Sequence, residues 1–529
     1  MKPTSPGLHA YLFSRRAWPW FAALALLLPP MFLLQPVPID ETRYLAVAWN
    51  MHVSGQWLVP WLDGAPYPDK APMLFWLINL IWSVTGVHAW AARLLEGLMA
   101  LATLPLLAAV EQRLGMDRPA REASMWLWLG CVAVAIYADV VMFDMLLTLC
   151  TLAAWRAIPA LAERRWVGGT VALALALGAG ILVKGPVALL VGGVPALLAP
   201  WWLPSARARP LAFYLRLVAG LVIAAAVALA WALPAAHAGG TQYEDAIFLH
   251  QTFGRVAHSF AHARPWWWYL PVLPLMLLPW VVSLGRGASP APPAGATAER
   301  NRVANRFVLA AFVPDFVAFS LISGKQPHYL LPLLPALIMA AGMRVGANRW
   351  RVVGWRVGLT LVAIGVAVAA GLGWLEHPPS RVGATLCGGL VVLAGLFYLL
   401  RGRRSLAPSM GALGMLAALM LCKLAFVFSI GPRYDMRSVA LRLATAQRKG
   451  TPLLYAGTPY GLFTFAGRLT RPIPESTDPA AIMAWARAHP DGWVVSGDSG
   501  YRFAAAPFYR QPYLDHSLSI WHAGQLTSP

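Results

Sequence analysis

The chain has 529 residues, of which 58% are hydrophobic and only 12% are charged. A water-soluble protein of this length needs far more polar surface, so a soluble globular fold is excluded. The formal net charge of +20 does not point to nucleic acid, because the basic residues sit in short clusters between apolar runs, the pattern of loops facing anionic lipid.

In chain order, the basic pair Arg15-Arg16 precedes an apolar run without a small-residue cleavage site, which reads as an uncleaved first helix. Apolar runs then occupy 18–36, 89–110, 122–138, 144–160, 166–183, 186–203, 211–235, 266–284, 304–323, 328–346, 354–374, 382–400 and 408–429. Each approaches the length a helix needs to cross a hydrocarbon core roughly 30 Å thick, so about thirteen crossings are expected. A further stretch, 72–87, is short. The basic connectors are Arg15-Arg16, 113–121, Arg164-Arg165, 207–209, 286–306, 344–356 and 401–404. If 72–87 crossed, these clusters would fall on both sides; if it lies along the interface as a juxtamembrane helix, all fall on one side. This parity predicts a cytoplasmic N-terminus and a C-terminus on the outer face. The Pro-, Gly-, Ala- and Ser-rich stretch 285–298 reads as a flexible cytoplasmic loop.

From about Gly431 the chain turns mixed and polar. Ser438–Arg448 and Pro479–Ala488 read as helices, and Pro452–Tyr455, Trp493–Ser496 and Ser517–Trp521 as short strands. The expected architecture is an all-α polytopic membrane domain over residues 1–430 and a small α/β domain over 431–529. The membrane domain would carry a first outer loop at 36–88 and a second at 236–265. Cys131, Cys150, Cys387 and Cys422 lie in apolar segments without metal-like spacing and read as small apolar helix residues.

With sides assigned, ionisable residues gather on the outer face. The first loop holds Asp40, Glu41, Arg43, Asp63, Asp69 and Lys70, and Asp139 and Asp144 end the next pair of crossings. Lys184 follows the fifth crossing, the second loop carries His250, Arg255, His258, His262 and Arg264, and Lys325, His328 and Tyr329 sit at the mouth of a later pair. Ionisable groups next to lipid are costly unless paired or used, so their gathering suggests an outer-facing cavity for an anionic, phosphorylated ligand. Plainer roles compete. Asp40-Glu41 suits the N-terminus of a helix starting near Thr42. Lys70, Lys184 and Lys325 suit snorkelling lysines. His250 also reads as an ordinary loop histidine. Trp266-Trp267-Trp268-Tyr269 reads as an interfacial aromatic belt. Asp144, inside Met142-Phe143-Asp144-Met145-Leu146-Leu147, is the hardest to explain without a role.

Three stretches of the first loop carry a resemblance: Asp40-Glu41-Thr42-Arg43-Tyr44, Ser54-Gly55-Gln56-Trp57-Leu58-Val59-Pro60, and Tyr67-Pro68-Asp69-Lys70-Ala71-Pro72. Asp144, Lys184-Gly185, Arg255 with Pro265 and its aromatics, Pro279-Trp280, and Gly324-Lys325 with Tyr329 follow in order. From about residue 18 to 346 the chain resembles the bacterial aminoarabinose lipid A transferases, which stand with the protein O-mannosyltransferases among the C-type glycosyltransferases. The resemblance implies about thirteen crossings, a juxtamembrane helical first loop and a periplasmic active site in the bacterial inner membrane. It also implies inverting transfer of a sugar from a polyprenyl-phosphate donor to lipid A or another envelope glycoconjugate.

By that resemblance, Asp40 would be the catalytic carboxylate near the acceptor, with Glu41 beside it and Asp144 a second acid of the site. Lys70 and Arg255 would bind the donor phosphate, with Lys325 and Tyr329 nearby. Cations aimed at the departing phosphate lower the barrier, and a carboxylate orients or deprotonates an acceptor hydroxyl. No cofactor is certain; a divalent metal on Asp69 and His250 is the candidate. The sequence departs from the family at Asp69, where Glu is usual, and at Thr252, where the loop histidine usually stands. Transfer to protein hydroxyls is the rival within the class. A lipid or solute transporter is the rival outside it, and there ionisable residues would gather at mid-membrane.

Overall fold

The computed structural model describes residues 18–164, 166–248, 263–288, 295–373, 378–402, 404–497, 501, 503, 505–514 and 516–526. The chain divides into two compact units. One comprises residues 1–33, 93–233 and 248–429, and the other 34–92, 234–247 and 430–529.

The first unit is helical. Among the described residues, nine helices of the chain are long and apolar enough to cross a membrane, including Phe143–Ala162, Trp166–Lys184, Pro327–Gly346 and Pro408–Ser429. Three of the apolar runs are interrupted. The run at 122–138 breaks between Arg118–Leu129 and Val132–Tyr137, that at 186–203 between Val187–Leu197 and Ala199–Trp202, and that at 266–284 between Tyr269–Met276 and Trp280–Ser283. Interrupted helices leave backbone groups that lipid cannot satisfy. Two of the breaks answer each other: Val132 N–H donates to Leu278 O at 2.9 Å, and the Trp280 indole donates to Leu127 O at 2.5 Å.

Helices Gly354–Gly373 and Pro378–Leu400 pack backbone to backbone. A Cβ on Gly358 would come within 2.6 Å of Gly395 O, and one on Gly365 within 2.6 Å of Gly388 O. Close approach over small residues replaces the hydrophobic drive that lipid removes.

The basic connectors from 113 onward meet at one end of this unit. Arg113 pairs with Glu163 at 2.6 Å, and a Cβ on Gly115 would touch Arg300 Cδ at 2.9 Å. Leu284–Arg286, Trp350–Val353 and Ser405–Leu406 form a three-stranded antiparallel sheet joining three further connectors. Asp144 lies in the first turn of Phe143–Ala157, so it stands at the end away from Glu163. At that end Asp139, fully buried, accepts from the Lys423 ammonium, which also donates to Ala135 O at 2.7 Å. Asp315 is an exception to this segregation. It sits well inside Gly295–Leu321, is fully buried, and its carboxyl oxygens meet no hydrogen-bond donor among the described residues.

The second unit contains an α/β layer. Its five-stranded sheet runs Glu475–Ser476, Leu453–Ala456, Trp493–Gly497, His516–His522, Tyr509–Tyr513; the first three strands are mutually parallel and the last two join antiparallel. Alternate side chains serve opposite faces. Leu453, Tyr455, Val495, Leu518 and Ile520 pack on Arg437–Arg448, while Leu454, Ala456, Val494 and Trp521 pack on Pro479–Ala488.

The first loop is bound to this layer. The Trp49 indole donates to Leu469 O at 2.8 Å, Arg468 donates to Val87 O at 2.8 Å, and Trp82 stacks on Phe465 at 5.5 Å. Asp63 accepts from Gly461 N–H at 2.7 Å and from the Thr464 hydroxyl at 3.3 Å. Burial pushes the Asp63 carboxyl above its ordinary range, and these two bonds oppose the shift. Gly461 has φ +73°, and a Cβ there would meet Ala46 Cβ at 2.7 Å, so conformation and space both require glycine.

The stretch 72–87 forms Met73–Thr85. Its 13 residues reach about 20 Å, short of a crossing. Leu74, Ile78 and Trp82 are buried along one face, while Leu80 and Val84 are exposed on another.

Two of the buried acids of the helical unit, Asp139 and Asp315, should behave differently when neutralised. Asp139→Asn removes the carboxylate that the Lys423 ammonium meets and should cost about 3–5 kcal/mol. Asp315→Asn removes no partner and should change stability by less than about 1 kcal/mol. Thermal unfolding of the purified variants in detergent distinguishes them; equal losses would refute the assignment.

Candidate active site

In the second unit, helix Asp40–Ser54 opens on the two acids of the first loop. They play different parts. Glu41 is buried, and its carboxylate accepts from Val37 N–H at 2.8 Å, so it closes the first turn of its own helix. The Asp40 side chain is 44% exposed. It is ion-paired with Arg43 and receives the Tyr44 hydroxyl at 3.4 Å. A carboxylate held by a guanidinium and a phenol, with much of its surface open, can still meet an incoming group. Asp69 and Lys70 are half-buried in the turn that precedes Met73–Thr85.

In the first unit, a second cluster forms at the end away from the basic connectors. Asp144, 2% exposed, accepts from the Lys184 ammonium at 2.5 Å, and His328 Nε2 stands 3.9 Å from its other oxygen. The positions follow from helix ends. Asp144 lies in the first turn of its helix and Lys184 is the last residue of Trp166–Lys184, each favoured there by the helix dipole. Gly185, with φ +68°, then turns the chain into Pro186. His328 and Tyr329 come from the 3-10 turn Pro327–Leu333. The Tyr329 ring lies under the Lys184 ammonium at 4.5 Å, and His328 packs edge-on against it at 4.8 Å.

Lys325 is placed differently from a group open to ligand. It is 2% exposed, and its ammonium donates to Arg264 O at 3.0 Å and to Ile322 O. With the Arg264 N–H to Ser323 O bond at 3.0 Å and the Tyr269 hydroxyl to Gln326 O bond at 3.1 Å, it ties the start of the aromatic belt to the 323–326 turn. His250, Arg255, His258 and His262 lie outside the described residues. Among the described residues, no group of three or more His, Cys, Asp or Glu side chains gathers as a metal site would require.

The partnership of Asp144 with Lys184, and of Asp139 with Lys423, is the part that sequence reasoning missed. The partners are 40 and 284 residues apart. The available signal was the cost of an unpaired acid in an apolar run, which calls for a cation without naming it.

Residues 69–232 match the family model described as dolichyl-phosphate-mannose-protein mannosyltransferase. An undecaprenyl phosphate-alpha-4-amino-4-deoxy-L-arabinose arabinosyl transferase of Pseudomonas fluorescens is 32% identical over 359 residues, covering 65% of this chain and 64% of the relative. A second from that species is 30% identical over 372 residues, covering 67% and 66%. One from Pseudomonas aeruginosa is 32% identical over 308 residues, covering 57% and 54%. The chain thus spans less than two thirds of the length of these curated relatives. The crystal structure of ArnT from Cupriavidus metallidurans in the apo state superposes with a TM-score of 0.74 at 18% identity, over 97% of this chain and 99% of that one. The same protein bound to undecaprenyl phosphate gives 0.74 at 19%, over 98% and 100%. The chain is therefore a multi-span membrane protein with the fold of ArnT, similar over 57–67% of its length to the undecaprenyl phosphate-aminoarabinose arabinosyl transferases.

Proposed function

We propose that the chain transfers a sugar from an undecaprenyl-phosphate donor to lipid A or another envelope glycoconjugate, at the periplasmic face of the bacterial inner membrane. What carries this reading is the 32% identity over 359 residues to a protein named for aminoarabinosyl transfer from undecaprenyl phosphate. The orientation rests on charge: the connectors 113–121, 286–306, 344–356 and 401–404 share one end of the helical unit, and Lys/Arg-rich ends face the cytoplasm. Met73–Thr85 then lies along the interface, with Leu80 and Val84 turned to lipid.

In this reading Asp40 is the carboxylate that meets the acceptor or steadies the cationic sugar carbon, while Arg43 and Tyr44 hold it in place. Lys70 and Arg255 bind the donor phosphate and stabilise it as it leaves. Glu41 shapes the helix start that presents Asp40. Asp144 fixes the Lys184 ammonium over Tyr329. Lys325 keeps the neighbouring turn in place from its buried position.

The match to the mannosyltransferase family model favours a second reading, transfer to a protein hydroxyl. Mass spectrometry of lipid A and of envelope proteins from a deletion strain separates the two. Loss of a sugar from lipid A supports the first, and loss of protein glycosylation alone overturns it.

Asp40→Asn keeps size and hydrogen bonding but removes charge. It should lower turnover by roughly tenfold to a thousandfold with donor binding largely intact. Lys70→Ala should weaken donor binding first, since a lysine's charge meets the phosphate before reaction as well as during it. Turnover and donor-binding measurements on purified variants check both; wild-type turnover in Asp40→Asn would leave Asp40 as a helix residue only. In a double-mutant cycle, Asp144→Asn and Lys184→Gln should be non-additive in stability by about 1–3 kcal/mol, since each alone strands the other's charge. Additive losses would show that the pair does not act as a unit.

A further inference from the structure

At the basic end of the helical unit, away from Asp144, the three-stranded sheet roofs a cavity of about 800 Å³. Its polar wall holds Arg286, Arg351 and Arg356, and no acidic side chain among the described residues lines it. Arg351 Nε is buried without a hydrogen-bond partner among the described residues. Arg356 is fixed in place by donating to Leu284 O at 3.0 Å. Its apolar wall holds Leu277 from the break at 277–279 and Val281 and Leu337 from helices, and Val281 is 54% exposed. Trp350 and Trp355 also line it, and aromatic side chains of this kind sit at the level of lipid headgroups.

An unneutralised cationic wall next to an apolar, lipid-facing one fits a molecule with a phosphate at one end and hydrocarbon at the other. We propose that this cavity binds the phosphodiester headgroup of an anionic phospholipid from the leaflet beside the basic connectors, with its acyl chains running along Val281 and its neighbours. Arg286 and Arg351 contact the phosphate oxygens, and the volume lies within the range of small-molecule sites. A free anion would gain nothing from the apolar wall, and a zwitterionic lipid would bring its own cation against the arginines. Basic hollows between helices on the cytoplasmic side are suited to such headgroups. The lipid would brace the sheet that joins the 286, 350 and 405 connectors, at the end of the unit away from the Asp144 cluster.

The test is native mass spectrometry of the full chain in detergent, titrated with phosphatidylglycerol or phosphatidylcholine. The expected result is retention of one phosphatidylglycerol with a preference of ~tenfold or more, from the two arginines that meet the phosphate. Arg286→Gln with Arg351→Gln should abolish the preference, while Arg118→Gln, an exposed residue paired with Glu122, should preserve it. Arg286→Gln alone, at an exposed side chain, should give a partial loss and keeps the test readable if the double variant does not fold. Millimolar inorganic phosphate should not displace the lipid; displacement would make this a simple anion site and overturn the proposal. An unchanged preference in the double variant would also overturn it. So would retention of undecaprenyl phosphate in place of phosphatidylglycerol when the two are titrated together, which would give the cavity to the donor.

Discussion

The controlling constraint is the cost of leaving a charge or an open backbone group in hydrocarbon. It explains why the chain is helical, and why ionisable residues gather at the two ends of the helical unit. It also explains why a break in one apolar run is matched by a break in another. Leu278 and Leu127 lend their carbonyls to Val132 and Trp280 because no water is there to do so. The same cost keeps Asp144 next to Lys184 and Asp139 next to Lys423. In each case a buried acid has drawn in a lysine whose stem is apolar enough to share its surroundings.

Outside the helices, stability is built differently. The first loop has little regular structure beyond its two helices and a two-residue strand pair. Its order comes from the α/β layer: Trp49, Asp63 and Trp82 each find a partner within residues 461–469. The C-terminal part of the chain therefore acts as a mount for the helix that bears Asp40, which gives a physical reason for the layer's presence.

Much of this was legible in the residues. Hydropathy located the long helices, and the C-terminal helices and three of the strands fall within a residue or two of where alternation and capping put them. Tyr509–Tyr513 was not legible, because Pro512 and its polar neighbours argue against a strand; the strand lies at the sheet edge, where proline is tolerated. Glu475–Ser476 is too short to leave a pattern. The interruptions at 130–131 and 277–279 were hidden because a run can be apolar throughout and still bend. In the candidate site, the acids stood out by their cost. The division of labour between Asp40 and Glu41 did not, since adjacent carboxylates look alike until one is seen bonded to Val37 N–H.

The small sheet at the basic end bears on how the chain is assembled. Its strands come from residues 284–286, 350–353 and 405–406. Synthesis is vectorial, so the central strand emerges with its first neighbour in place and its second edge bare. That edge stays bare until two more helices, Gly354–Gly373 and Pro378–Leu400, have been inserted. The glycine-lined contact between them brings Ser405–Leu406 back beside Trp350–Val353. The sheet is then a clasp that closes only after correct insertion of this hairpin. A chain whose hairpin inserts wrongly would leave that strand edge unpaired.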